Sequence, residues 1–210
     1  MSTKYWVCKL ILLQSATKYS FDRLTAHINK GNINKEFHLE KHMDSRTSKI
    51  NYYLDIADSV SERSTCLRRK YGAIIVLNDE IISTGYNGAP RGRKNCSDLG
   101  RCTREELKIP SGQRYELCRS VHAEQNAIIS ASRRDMIGAT IYLVGRSGKD
   151  DSLLSDAMCC SMCKRMIINA GISDVIIRVG ENPEDIIQVD VQEWIDNDDS
   201  LFMDVGEVPV

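Results

Sequence analysis

Two short motifs, far apart in the chain, restrict what this sequence can fold into more than anything else in it: His122-Ala123-Glu124 and Cys160-Ser161-Met162-Cys163. Each stands at the head of an apolar helical period. Val121, Ala127 and Ile128 carry the first; Met162, Met166, Ile167 and Ala170 carry the second, which Gly171 stops with a left-handed residue. Two Cys three apart at a helix start bring both thiolates to one side of the first turn, where free backbone N–H groups and the dipole favour the anion. His122 holds the same kind of position on the other helix. If the two helices lie side by side on one face of a sheet, their starts meet. One imidazole and two thiolates can then share a metal and leave the fourth tetrahedral position open, the pattern of a catalytic zinc whose bound water is drawn toward neutral pKa. Glu124 as a fourth ligand would close such a site, so its better role is proton carrier. Alone, His-x-Glu is a weak signal, and a surface His, a structural zinc or buried free thiols are the bland readings. The joint occurrence at two helix starts outweighs them.

The rest of the chain reads as the frame for these helices. Ile50, Tyr53, Leu54, Ala57, Val60 and Ser61 fall on one helical face, with Asp44-Ser45 or Thr47-Ser48 as caps. Residues 72–77 and 80–86 form a hairpin turning at Asn78-Asp79, and a helix is expected over about 120–134. A third strand over 139–144, a polar loop over 145–156, the helix over 160–170 and a fourth strand over 173–178 follow. Residues 185–195 fit a fifth strand or a helix. Strand–helix–strand order after the hairpin favours parallel pairing and a three-layer α/β/α sandwich on a mixed sheet of about five strands.

Residues 47–180 are therefore expected to form the functional domain. Residues 1–46 lack a firm period and lean basic. They are expected to be an extension dispensable for folding, with Met43 as the natural start. After Arg178 there is no Lys or Arg among ten Asp and Glu, which marks 181–210 as an acidic C-terminal segment. No apolar run approaches the ~18–20 residues of a membrane span, and a net charge of −1 gives no global case for nucleic acid. Eight Cys without a secretion signal point to reduced thiols in a cytoplasm. Four of them, Cys66, Cys96, Cys102 and Cys118, bracket a loop from Asn87 to Leu117 that has no period. That is the arithmetic of a second, structural zinc, against free thiols as the alternative.

These motifs resemble the cytidine/deoxycytidylate deaminase superfamily, and within it the deoxycytidylate (dCMP) deaminases. The resemblance runs from about Ile50 to Arg178. It is carried by Ile81-Ile82-Ser83-Thr84-Gly85-Tyr86-Asn87-Gly88-Ala89-Pro90, by His122-Ala123-Glu124-Gln125-Asn126-Ala127, by Cys160-Ser161-Met162-Cys163 and by the helix ending Ile167-Ile168-Asn169-Ala170-Gly171-Ile172. It implies that His122, Cys160 and Cys163 hold the catalytic zinc, that Glu124 shuttles protons and that Asn87 contacts the substrate sugar. The reaction implied is hydrolysis of dCMP by zinc-activated water to dUMP and ammonia, supplying dUMP for thymidylate synthesis. Some phage and bacterial members also have a second zinc, which Cys66 and Cys96 match best. A nucleotide needs cations for its phosphate, and Arg68, Arg69 and Lys70 on one side and Arg91, Arg93 and Lys94 on the other flank the expected site. A homo-oligomer and deoxynucleoside triphosphate effectors are further expectations from the family.

One residue departs from the family pattern: Cys159 stands where Pro precedes the first ligand Cys. Cys160 and Cys163 are still expected to be the ligands, since a neighbouring residue points about 100° away around a helix. The rivals are a deaminase of another nucleobase substrate, cytidine, deoxycytidine or a tRNA adenosine, and a zinc-binding scaffold without catalysis.

Overall fold

In the computed structural model, residues 46–197 are described. The first helix, α1 (Lys49–Ser61), starts where Ser48 Oγ accepts from Asn51 N at 3.2 Å. The strands β1 (Arg69–Leu77) and β2 (Glu80–Tyr86) form the expected hairpin. Asn78 and Asp79 both take positive φ, 51° and 68°, which suits the twist of a two-residue hairpin turn. Two short helices, α2 (Cys96–Leu99) and α3 (Thr103–Glu106), follow β2, and strands β3 (Thr140–Ser147), β4 (Asp174–Arg178) and β5 (Ile186–Asp190) complete a sheet of order β2-β1-β3-β4-β5. Only β3 and β4 pair in parallel.

Alternation along the strands divides the core into two layers. Ala73, Ile75, Ile141, Leu143, Val175 and Ile177 face one side, with α4 (Ala123–Ile129) and α6 (Ser161–Ala170) against them. Ile74, Val76, Tyr142, Val144 and Ile176 face the other side and meet Tyr53, Leu54 and Ala57 of α1. The chain is thus the three-layer sandwich that the sequence led us to expect. Two glycines set the layer spacing. A Cβ on Gly72 would lie 2.0 Å from the Ala57 carbonyl oxygen, and one on Gly85 would lie 2.3 Å from the Ala123 carbonyl oxygen.

Three expectations need correction. The single helix over 120–134 is two, α4 and then α5 (Arg133–Met136), because the Ser130–Ser132 stretch ends one and caps the other. Strand β1 begins at Arg69 and β3 runs to Ser147, since Arg69, Lys70 and Tyr71 pair with Ser147, Arg146 and Gly145. Residues 186–196 are part of the domain and not an acidic segment outside it. They supply both β5 and a helix, α7 (Val191–Asp196), whose Val191 and Trp194 are buried in the α6 layer. The proposed start at Met43 and the run through Asp198 and Asp199 lie outside the described residues. Among those described, no helix is long and apolar enough to cross a membrane.

Candidate active site

Both metal-binding motifs sit where a strand-side loop turns into a helix. His122 is the N-cap of α4 and Cys160 the N-cap of α6, both in extended conformation, with φ, ψ of −73°, 160° and −71°, 162°. In α4 the Gln125 side chain closes the cap by accepting from His122 N at 2.9 Å. Asn126 Nδ2 donates to the Tyr86 carbonyl at 2.7 Å, and Ser83 Oγ to the Ala127 carbonyl at 2.8 Å, so the short helix is bolted to β2. Because β3 lies between the two motifs in sequence, both helices dock on the same sheet face and their starts meet.

The meeting is close. His122 Nδ1 lies 3.5 Å from Cys160 Sγ and 3.4 Å from Cys163 Sγ. A tetrahedral zinc with ordinary Zn–N and Zn–S bonds holds such atoms about 3.6 Å apart, so the donor set fits that ion in both spacing and chemistry. Among the described residues it is the one group of three or more potential ligands whose atoms all lie within 4.8 Å. The thiol of Cys160 is pulled down to about 4, first by the hydrogen bond with Cys163 and then by His122. Cys163 is pushed the other way by the same bond and by burial, so the pair holds one proton between them. Burial opposes charge on His122, but the Cys160 hydrogen bond and the Glu124 carboxylate outweigh it and raise its pKa.

Glu124, on the first turn of α4, is 4% exposed and lines the cavity that His122 and Cys160 also line. Burial raises its pKa, with the His122 charge acting against that rise. A buried carboxyl whose pKa is raised, beside a metal-binding group, is suited to moving protons. Cys159 is 2% exposed and belongs to the hydrophobic core, outside the ligand group.

The cavity collects most of the other residues singled out by sequence. Arg68 and Arg69 line it, and each already has a carboxylate neighbour, Glu105 at 3.6 Å and Asp156 at 2.7 Å. Asn87 lines it as well, with its side chain engaged by the fold: Oδ1 accepts from Ser64 Oγ at 2.6 Å and Tyr71 N at 2.8 Å, and Nδ2 donates to the Arg69 carbonyl at 2.8 Å. Arg91 is different. It lies exposed on the Pro90–Arg93 turn and is not among the lining residues. Cys66, Cys102 and Cys118 line the cavity, and with Cys96 they are near enough that charge on the other three raises the Cys96 thiol further, after burial. Their sulfurs are not drawn within 4.8 Å of one another as a set.

Sequence reasoning missed Arg104 and Tyr115, both at the cavity wall. Arg104 stands in the charged run from Arg101 to Lys108, which reads as a solvated face, yet it is buried. Nothing local in the sequence distinguishes it.

A mixed α/β sandwich here seats a His-Cys-Cys group and a buried carboxylate at two helix starts, the arrangement of a zinc-binding site with an acid beside it. The chain belongs to the cytidine and deoxycytidylate deaminase family: the model of that family's zinc-binding region matches residues 47–179. Among similar proteins, the deoxycytidylate deaminase of Schizosaccharomyces pombe is 30% identical over 164 residues, covering 75% of this chain and 47% of the yeast protein. That of Mycobacterium phage D29 is 35% identical over 136 residues, covering 63% and 95%. The chain thus spans about half of the yeast relative and nearly all of the phage one. A solved dCMP deaminase from the cyanophage S-TIM5 is 28% identical, with a TM-score of 0.44 over 65% of this chain and 86% of that one.

Proposed function

We propose that the chain hydrolyses deoxycytidylate to dUMP and ammonia. The observation that carries this reading is Glu124, buried with a raised pKa in the cavity that also holds His122 and Cys160. When bound by His122, Cys160 and Cys163, zinc would supply a Lewis acid that acidifies water. The chain's part is proton handling and placement. Glu124 takes one proton from the attacking water and passes it to the ring nitrogen N3 of cytosine, then takes the second from the new C4 hydroxyl and gives it to the leaving amine, so that C4 keeps the oxygen as a carbonyl. Water adds at C4, the C4–N bond breaks, and the exocyclic amine becomes ammonia. The relatives named as deoxycytidylate deaminases support the choice of substrate.

Arg68 and Arg69 at the cavity are the phosphate contacts in this proposal, and Asn87 shapes the wall that meets the sugar. The proposal assigns Cys66, Cys96, Cys102 and Cys118 to a second, structural zinc, whose binding would draw their sulfurs together. The seven described Cys are all free, and the proposal places the chain in the cytoplasm. Self-association and control by deoxynucleoside triphosphates complete the reading; Ile129 and Ile137, 70% and 52% exposed, offer apolar area to a second copy. The deaminase unit runs from about residue 47 through α7, with residues 1–46 as a dispensable extension. Ammonia release with dCMP, deoxycytidine, CMP and an adenosine-containing RNA, beside a zinc count, tests it. Release from dCMP above the others supports the proposal, and release from deoxycytidine but not dCMP sinks the phosphate reading.

A further inference from the structure

Arg104 and Tyr115 belong to the cysteine-bearing insert, and the chemistry above leaves them unused. The Tyr115 ring meets the His122 ring edge-on, with centroids 4.9 Å apart and planes at 84°. Arg104 lies over the Tyr115 ring, its guanidinium carbon 4.5 Å from the centroid. Its Nη2 donates to the carbonyls of Pro110 at 2.8 Å and Gln113 at 2.5 Å, which fixes the loop that leads to Tyr115.

Arg104 is placed at a cost. It is 6% exposed, and its buried Nε has no partner. The nearby carboxylates of Glu105, Glu106 and Glu116 are taken by Arg68, Arg101 and Arg114. Burying a cation without a carboxylate is unfavourable, and here the two carbonyls and the aromatic face offset it. A metal-binding His is normally oriented by a hydrogen bond from its second ring nitrogen to a carbonyl or carboxylate. Among the described residues, His122 Nε2 has no such partner, and its Nδ1 makes both sulfur contacts. The edge-to-face contact with Tyr115 is the ring contact that restrains this imidazole.

We infer that Tyr115 is a positioning residue for His122 and that Arg104 is the clamp that holds Tyr115 against it. The edge contact limits rotation of the imidazole, and so keeps Nδ1 aimed at Cys160 and Cys163. The clamp also ties the metal group to the insert's thiols, because Cys102 caps the one-turn helix that carries Arg104. This rests on the reading of His122 as a metal ligand.

The test uses the full chain loaded with Co2+ in place of zinc. The visible absorption of tetrahedral cobalt reports ligand geometry, and the spectrum of His122→Asn removes the share of any cobalt held elsewhere. Release of cobalt to a chelator is followed in parallel. Tyr115→Phe keeps the ring edge and is expected to keep both spectrum and release rate. Tyr115→Ala and Arg104→Met are expected to alter the spectrum and speed release roughly 10- to 100-fold, with kcat falling more than KM rises. Arg104→Lys keeps the charge but not the planar stack, and is expected to behave as Arg104→Met does. Tyr115→Leu takes the place of Tyr115→Ala if the latter does not fold. An unchanged spectrum with release within roughly twofold of wild type, in both the Tyr115 and the Arg104 variants, overturns the inference. So does a change confined to preference for nucleotide over nucleoside, which would give Arg104 to a ligand phosphate instead. A wild-type chain that takes up no cobalt at His122 would overturn the metal reading beneath it, a distinct result.

Discussion

Gly85 of β2 and Ala127 of α4 touch backbone to backbone: a Cβ on Gly85 would come within 2.3 Å of the Ala127 amide nitrogen. The helix that presents His122 and Glu124 is only seven residues long, so this contact, with the bonds from Ser83 and Asn126, holds it in place. Gly85→Ala must push α4 off the sheet. The expected result is a loss of about 1–3 kcal/mol of stability in chemical denaturation, with weaker metal retention. A variant as stable and as metal-tight as the parent would remove the close-approach argument.

Glu124→Gln keeps shape and burial but cannot carry a proton. Turnover should fall roughly 10²- to 10⁴-fold while zinc content, measured by atomic absorption, stays unchanged. Full turnover in this variant would take the proton-carrier role away from Glu124.

The same substitution has a stability signature in metal-free protein. Burial raises the Glu124 pKa above its ordinary 4.5. The folded state then keeps a proton that the unfolded chain gives up once pH passes that ordinary value. The stabilising contribution is complete below it and is lost as pH rises through the folded-state pKa. Metal-free Glu124→Gln should therefore lose less melting temperature than wild type as pH is raised from about 5. Parallel melting curves for the two proteins would show that burial is not governing this carboxyl.

Cys159→Ala should retain the metal, and Cys160→Ala and Cys163→Ala should lose it. The buried Cys159 packs among core residues and stands outside the ligand group. Zinc counts on the three variants decide the matter, and the reverse ranking would make Cys159 a ligand.

Arg146 of β3 holds Asp58 of α1 through two parallel bonds, Nε to Oδ1 and Nη2 to Oδ2, both at 2.6 Å. Lysine cannot form that fork, so Arg146→Lys should cost about 1–2 kcal/mol in urea unfolding and leave the metal group untouched. A cost equal to that of a surface substitution would show the pair is too solvated to matter.

The parts of this molecule that repeat or alternate were legible in the sequence, and those made by distant contact were not. Short apolar β-branched runs such as Ala73–Val76 located strands, and a stop such as Gly171 located a helix end, because those signals are local. His122 and the paired Cys were legible because ligand spacing on a helix start is local too. Arg104 was not, since its burial depends on carbonyls at Pro110 and Gln113 folding back over it. Arg91 misled for the matching reason: its charge and position next to Asn87 suggested a phosphate contact, but the Pro90–Arg93 turn leaves it exposed outside the cavity wall. Residues 185–195 read as a strand or a helix, but their acids placed them outside the domain to which both elements belong. Trp194 and Val191 face the core while the charged neighbours face water.

The separation of the ligands along the chain has a consequence for folding. His122 and Cys160 are 38 residues apart, with all of β3 between them. An ion bound by both lets go when the chain unfolds, so it stabilises the folded state through its affinity rather than by restricting the unfolded chain. Neither motif can recruit the other until β3 has been laid beside β1, so ion capture follows sheet formation. The metal then acts as the latch on a fold already assembled, and chelation should loosen the C-terminal half before it loosens the hairpin.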